Sequence, residues 1–94
     1  MDNSYFVYAI ASLERNYIYV GLTANVIQRV KTHQSKRNKT TKAYTPFCLI
    51  FTEKCQDRKQ ARIREKYWKA ASEKRKLKVL RKKIFETYGF ELPD

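Results

Sequence analysis

The sequence predicts an α+β fold of three short strands and three helices. Three observations carry that expectation. Residues 5–10 and 17–20 are rich in aromatic and β-branched side chains and are parted by a short polar link, the pattern of an antiparallel hairpin. A continuous apolar run follows at residues 46–51. Elsewhere the apolar residues recur at helical rather than alternating spacing.

Residues 5–10 form the first strand of the hairpin. Its polar link, Glu14-Arg15-Asn16, carries no Asn-Gly or Asp-Gly signal, so the turn chemistry leaves the register open. An even-numbered connection puts Tyr8 and Tyr19 on one face of the sheet, and an odd-numbered one puts them on opposite faces. The second strand, residues 17–20, is expected to end at Gly21. Thr23 and Asn25 can each cap a helix. Behind them Val26, Ile27 and Val30 form a narrow apolar stripe flanked by Arg29 and His33, which lie one turn apart. This helix should fray near Ser35 and give way to a basic loop over residues 35–42.

The run at 46–51 reads as a third, well-buried strand, with Pro46 at its first position or on an edge. Asp57 and Gln60 have the spacing of a capping box, so a second helix starts near Arg58. In it Ala61, Ile63, Tyr67, Trp68, Ala70 and Ala71 make up the apolar arc. Glu65 falls just outside that arc, beside Ala61. Arg64 falls inside it, which requires a snorkelling stem or a paired head. After Lys74-Arg75-Lys76, the spacing of Leu77, Leu80, Ile84 and Tyr88 predicts a third helix ending near Gly89. Pro93 belongs to a short tail. The chain reads as one domain over residues 1–94, with 77–94 a helix and tail of unassigned role.

Ninety-four residues can bury one modest core. Seven Tyr, five Phe and one Trp exclude a disordered composition. Twenty-one Lys and Arg against nine Asp and Glu leave a formal charge of +12. Such an excess opposes compaction unless a polyanion relieves it, and nucleic acid is the commonest such partner. Charge alone leaves a generic basic surface open and does not speak to catalysis. Cys48 and Cys55 are the only cysteines. With one histidine they lack zinc-site spacing and read as reduced, structural thiols. No apolar run approaches the ~20 residues of a membrane span. The start, Met1-Asp2-Asn3-Ser4, has neither the basic residues nor the apolar core of a leader, so a soluble cytoplasmic protein is expected.

The candidate chemistry lies in Phe6-Val7-Tyr8, Tyr19-Val20-Gly21, Arg29, His33 and Glu65. Two phenols, a guanidinium, an imidazole and a carboxylate are a toolkit for phosphodiester cleavage. Each also has a plain structural use. Strand tyrosines are ordinarily packing residues, and a free phenol with a pKa near ~10 is a poor base unless cations favour the phenolate. Arg29 can clamp a phosphate with its planar fork or lie on a solvated surface. His33, the only histidine, reads by itself as a surface residue. Glu65 can pair with Lys69 at i+4 or ligate Mg²⁺, which keeps several waters and accepts a single carboxylate.

The order and spacing of these residues resemble the GIY-YIG nuclease family. Over residues 5–76 the chain looks like the small standalone members, akin to the amino-terminal nuclease module of a bacterial excinuclease. Phe6 and Val7 depart from the first signature, and Leu22 stands where some relatives carry lysine. Lys42-Ala43-Tyr44-Thr45-Pro46-Phe47 resembles the lead into the family's third strand. Ala61, Arg64, Glu65 and Lys69 match the helix that carries the metal-binding glutamate. The resemblance implies a small three-stranded antiparallel sheet flanked by helices, with the even-numbered connection. It also implies a metal-dependent endonuclease that hydrolyses DNA phosphodiesters in repair or recombination. Tyr8, Tyr19, Arg29, His33 and Glu65 would be its catalytic residues and Glu65 its ligand for Mg²⁺ or Mn²⁺. Tyr8 is then the base or base relay, Tyr19 positions the water or phosphate, and His33 is auxiliary.

Lys36, Arg37, Lys39, Lys42 and Lys69, with the basic residues of 74–83, are expected to contact DNA backbone phosphates without reading bases. A small module of this kind needs a partner protein or a second copy to choose its target. The competing class is a catalytically inactive nucleic-acid-binding module on the same scaffold. A third is a basic protein–protein adaptor.

Overall fold

The computed structural model describes residues 4–93. Met1, Asp2 and Asn3, which begin the expected leaderless start, and Asp94 lie outside that range. The elements run β1 (Tyr5–Ser12), β2 (Ile18–Thr23), α1 (Val26–Gln34), a short 3-10 turn (Lys42–Tyr44), β3 (Phe47–Cys55), α2 (Arg58–Lys69) and α3 (Ala71–Tyr88). The strands form one antiparallel sheet in the order β2-β1-β3, so the expected α+β architecture is the one observed.

β1 takes the centre because it is apolar in both alternating registers. Every residue from Val7 to Ser12 is buried. One face gives Val7, Ala9 and Ala11 to a core completed by Ile18, Val20, Ala61, Leu77 and Phe85. The other gives Tyr8 and Ile10 to a smaller cluster with Phe47, Tyr17, Tyr19, Tyr44, Val26 and Val30. Helices α2 and α3 therefore cover one face, and α1 with the 3-10 turn covers the other.

The β1–β2 register pairs Tyr8 with Gly21, Ile10 with Tyr19 and Ala11 with Ile18. Ser12 N donates to Tyr17 O at 2.9 Å, which leaves an even-numbered turn and puts Tyr8 and Tyr19 on one face. The turn is organised by Ser12, whose Oγ accepts from Glu14 N at 3.2 Å and Arg15 N at 3.0 Å. A serine closing a turn through its own hydroxyl replaces the missing glycine. β2 does not end at Gly21 but continues to Thr23.

The apolar run at 46–51, expected to be well buried, is only partly so. β3 is an edge strand extending to Cys55, with only Phe47, Ile50 and Cys55 buried and Leu49 exposed. The physical reason is its position: only β1 has neighbours on both sides. The register steps from Ala9↔Phe51 to Ile10↔Leu49, so Ile50 is the extra residue of a bulge. Cys48 and Cys55 are free thiols.

Asn25 is the cap of α1, its Oδ1 accepting from Gln28 N at 3.1 Å. Thr23 instead holds the cap residue, its Oγ1 accepting from Asn25 N at 3.1 Å. Ile27 is exposed, so the stripe that packs is Val26 and Val30. Asp57 caps α2, its Oδ1 accepting from Gln60 N at 2.8 Å, and Gln60 Oε1 accepts from Gln56 N at 2.7 Å.

The expected helix boundaries after Lys69 need correction. Ala70 is extended, with ψ of 143°, so it breaks the apolar arc expected to run through Ala70 and Ala71. α3 begins there rather than after Lys76. Ile63 is exposed, and the residues of α3 that are buried are Leu77, Arg81 and Phe85 rather than Tyr88. Gly89 closes α3 with a φ of 76°. Phe90 N donates to Phe85 O at 2.8 Å, and the two rings pack 5.7 Å apart, as in a Schellman cap.

Candidate active site

Tyr8 projects from the central strand and has no exposed surface. Its room comes from Gly21, directly across the hairpin. A Cβ at position 21 would sit 2.7 Å from Tyr8 Oη and 2.9 Å from Tyr19 Cε1. The phenol thus lies over a position where only glycine fits, which accounts for glycine inside a continuing strand. The Tyr19 ring stands 6.2 Å from the Tyr8 ring and 5.0 Å from the ring of His33.

His33 is fully buried rather than on the surface. α1 points it at the sheet, where Tyr8 Oη is 2.8 Å from its Nε2. Its Nδ1 is 2.7 Å from Thr41 Oγ1, and Thr41 is itself fully buried. Burial, and then the Arg29 charge, hold the imidazole pKa below its ordinary value, so the ring is neutral at pH 7. Tyr8 is pushed up to about 12, by burial first and by Tyr19 second. The Arg29 guanidinium stands near enough to oppose that rise, as a donor directed at the phenol and through its charge.

The network of partners assigns the direction of the hydrogen bonds. Arg29 can only donate, so the phenol proton goes to the acceptor it has, His33 Nε2. Nδ1 then carries the ring proton and donates to Thr41 Oγ1. The result is a directed line from Tyr8 through His33 to Thr41.

Glu65 lies one turn after Ala61, which is fully buried against the sheet. The side chain of Glu65 is only 12 % exposed, and Lys69 Nζ stands 3.5 Å from its Oε2. The i+4 ion pair therefore exists. The Glu65 carboxylate is also close enough for its charge to act on the Tyr8 phenol. Tyr8, Tyr19 and His33 form one contact set, and Arg29 and Glu65 stand within electrostatic reach of it. Among the described residues no group of three or more His, Cys, Asp or Glu could enclose a metal. A lone, mostly shielded carboxylate nevertheless suits Mg²⁺, which binds one or two carboxylates and leaves its other positions to water and substrate phosphate.

α2 is set on the sheet by Glu53 of β3. Arg64 Nε donates to both Glu53 oxygens at 3.1 and 3.0 Å, and Trp68 Nε1 donates to Oε1 at 2.8 Å. This is the paired head that lets Arg64 lie inside the apolar arc. Although burial pushes the Glu53 pKa up, the hydrogen bonds from Arg64 and Trp68 outweigh it and hold the carboxyl below its ordinary value. Glu53 thereby orients the helix that carries Glu65.

Of the residues expected to meet phosphates, Lys36, Arg37, Lys39 and Lys42 are exposed in the segment around Thr41. Lys69 is engaged with Glu65. Sequence reasoning missed Thr41. Nothing in the stretch Lys39-Thr40-Thr41-Lys42 distinguishes the buried threonine from its exposed neighbour.

This three-stranded sheet with its flanking helices is that of a nuclease-type catalytic domain. The GIY-YIG catalytic domain matches residues 4–78, and the chain belongs to the GIY-YIG family. It is similar to a UPF0213 protein of Staphylococcus haemolyticus, 35 % identical over 77 residues that cover 81 % of this chain and 93 % of that one. The UPF0213 protein YazA of Bacillus subtilis is 35 % identical over 75 residues, covering 79 % of this chain and 75 % of that one. A UPF0213 protein of Desulfotalea psychrophila is 33 % identical over 75 residues, covering 78 % and 67 %. No solved structure matches the chain. No helix among the described residues is long and apolar enough to cross a membrane.

Proposed function

We propose that this chain is a metal-dependent endonuclease that hydrolyses DNA phosphodiesters, with a role in repair or recombination. The observation that carries the reading is the buried line Tyr8–His33–Thr41 with Arg29 on the phenol. A packing tyrosine needs one hydrogen-bond partner. Here the phenol has a donor in Arg29 and a proton acceptor in a neutral imidazole.

Arg29, exposed at its free side, leaves the phenol for a phosphate oxygen and donates to it with its planar fork. That exchange uncovers Tyr8 Oη. An attacking water gives its proton to Oη as the phenol passes its own to His33 Nε2, so the phenol is regenerated and the imidazole becomes cationic. Tyr8 thus relays, because a phenol held near 12 is too weakly ionised at pH 7 to act as a free base. Tyr19 orients the water or phosphate. Thr41 accepts from His33 Nδ1 and holds the ring in the tautomer that leaves Nε2 open. Glu65 would hold the divalent ion, Mg²⁺ or Mn²⁺, whose chemistry is to neutralise charge on the phosphate and leaving oxygen. Lys36, Arg37, Lys39, Lys42 and Lys69 supply salt-sensitive contacts to backbone phosphates. Target choice falls to a partner protein or a second copy.

One observation favours the competing reading of a non-catalytic binder: the Tyr8 phenol is wholly enclosed. A single assay separates the two. Wild-type and Glu65→Gln chains are incubated with linear, nicked, flapped and branched DNA in Mg²⁺, Mn²⁺ or chelator. Cleavage by wild type that falls by ~10²–10³ in Glu65→Gln, with DNA binding retained, supports the endonuclease. Metal-independent or absent cleavage by pure wild type overturns it.

A further inference from the structure

Arg81 is the least expected member of the core. It is 8 % exposed, and its Nη1 donates to Asn16 Oδ1 of the β1–β2 turn at 2.9 Å. Its Nε has no acceptor among the described residues. Burial lowers its pKa, and no carboxylate of the described residues forms an ion pair with it. A buried cation without a counter-ion is costly.

Two more cations share its side of the helix. Lys74 and Lys78 precede Arg81 by seven and three positions, which is the same face of α3. Both line a cavity of about 200 Å³ whose other walls are Asn16, Tyr17 and Ile18. Lys74 is held below its ordinary pKa by burial and by the charges of Lys78 and Lys69. The nearby acid of α3, Glu73, is taken by Lys76 at 2.7 Å. Lys74 and Lys78 therefore line a cavity against the turn that Arg81 braces through Asn16, with no acidic side chain of the described residues among its walls.

On the other side of Asn16 lies a second cavity, of about 470 Å³, walled by Glu14, Arg15, Asn16 and Tyr44. The Tyr44 ring is backed by the Tyr17 ring at 3.8 Å with the planes 8° apart. Tyr44 is thus a braced aromatic surface beside an open space, flanked by the Arg15 guanidinium. Cationic grooves with aromatic faces are the equipment of single-strand binding, where unpaired bases stack and phosphates track the charges.

We propose that the β1–β2 turn and α3 form a docking site for single-stranded nucleic acid, with a backbone phosphate between Lys74 and Lys78, the buried Arg81 charge behind Asn16, and an unpaired base on Tyr44. Asn16 joins the two halves. The inference rests on the nucleic-acid reading above, though not on catalysis. The turn lies four strand positions from Tyr8 and Gly21, or roughly 13 Å. A single strand held at the turn can therefore continue across the sheet to the Tyr8 site.

The test measures binding of a fluorescent 12-nucleotide single strand, and of its duplex, to the Glu65→Gln chain in chelator, so that cleavage plays no part. Lys74→Gln/Lys78→Gln should weaken single-strand binding about tenfold or more and lower the slope of log affinity against log salt by roughly 1.4. Lys59→Gln/Arg62→Gln, which removes the same charge from α2, should cost less than threefold. Tyr44→Leu should weaken the single strand about tenfold, with little effect on the duplex, and Tyr44→Phe should retain binding. Thermal melting of each variant checks that it is folded.

Equal losses from the two charge pairs would overturn the phosphate pocket in favour of unspecific attraction. Equal effects of Tyr44→Leu on single strand and duplex, or loss with Tyr44→Phe, would overturn the stacking face. Inorganic phosphate is the second arm. If it binds the pocket while Tyr44→Leu changes nothing, the pocket serves a free phosphate and the nucleic-acid assignment falls. Each of these results leaves wild-type cleavage as a separate question, so failure here is distinguishable from failure of the nuclease reading.

Discussion

Gly21→Ala tests the geometry of the candidate site most directly. The new Cβ would lie 2.7 Å from Tyr8 Oη, 2.9 Å from Tyr8 Cζ and 2.9 Å from Tyr19 Cε1. Contacts that short cannot persist, so one partner must move. Gly21 is paired backbone of β2, and the Tyr8 phenol is held by His33 at 2.8 Å. The weaker constraint is the phenol, which must tilt away and break that bond. Overpacking alone costs about 1–3 kcal/mol, and stranding a buried polar group adds about 1–3 kcal/mol. A loss of roughly 2–6 kcal/mol follows, and for a chain of this size the melting temperature should fall by roughly 10–50 °C. Thermal and urea unfolding by circular dichroism measure it. Tyr8→Phe removes the nearest clashing atom, so Gly21→Ala combined with Tyr8→Phe should cost less than the sum of the two single changes by about 1 kcal/mol. Additive effects, or a Gly21→Ala chain as stable as wild type, would refute the account of why the phenol lies where it does.

Other consequences can be checked with the same purified protein. His33 is held below its ordinary pKa of 6.5, so the unfolded chain binds more protons as the solution is acidified; stability should be level above that pH and decline as pH falls toward the folded value. His33→Phe, followed by pH-dependent urea unfolding, should flatten that decline. Tyr8 has the opposite sign: raised from 10.0 to about 12, it should make stability fall as pH rises from 10 toward 12, and Tyr8→Phe should remove that part of the alkaline transition. Lys36 follows α1 with a φ of 64°, a conformation that costs a non-glycine residue about 1 kcal/mol. Lys36→Gly should therefore raise the melting temperature by several degrees, while weakening any phosphate contact at that position. Glu53→Ala leaves Arg64 and Trp68 without their shared acceptor, so it should destabilise the chain by about 1–3 kcal/mol and reduce cleavage through the setting of Glu65 on α2.

The hairpin was legible in the sequence because its physics is local. A strand, a polar turn and a second strand with tyrosines at the right parity needed only the evenness of one connection, and Ser12 supplied the turn that no glycine marked. Capping was legible for the same reason, since Asp57 and Gln60 act on atoms within one turn of themselves. Sheet order was not. The apolar run that ends in Phe51 reads as well buried, but burial depends on neighbours, and only the tertiary arrangement gives them on both sides to β1 and on one side to β3. The α2–α3 break was hidden for a related reason. Ala70 is a good helix former in either arrangement, and the turn there is imposed by packing α3 back on the sheet. Arg81 could not be recognised as a core residue because it is buried by a long-range bond to Asn16, sixty-five positions away.

The candidate site shows the same division between local and distant causes. Arg29 and His33 were legible as a pair one turn apart, yet the helix treats them in opposite ways: the arginine is exposed and the histidine is enclosed. That difference gives the pair its chemistry. An exposed guanidinium can exchange the phenol for a phosphate, while an enclosed imidazole stays neutral and can accept a proton. Had both faced solvent, His33 would hydrogen-bond to water and would have no fixed bond through which to receive the phenol's proton. The proposed function therefore depends less on which residue types the motif contains than on the sheet burying one of them, and Thr41, with no sequence signal of its own, closes the line that keeps it in place.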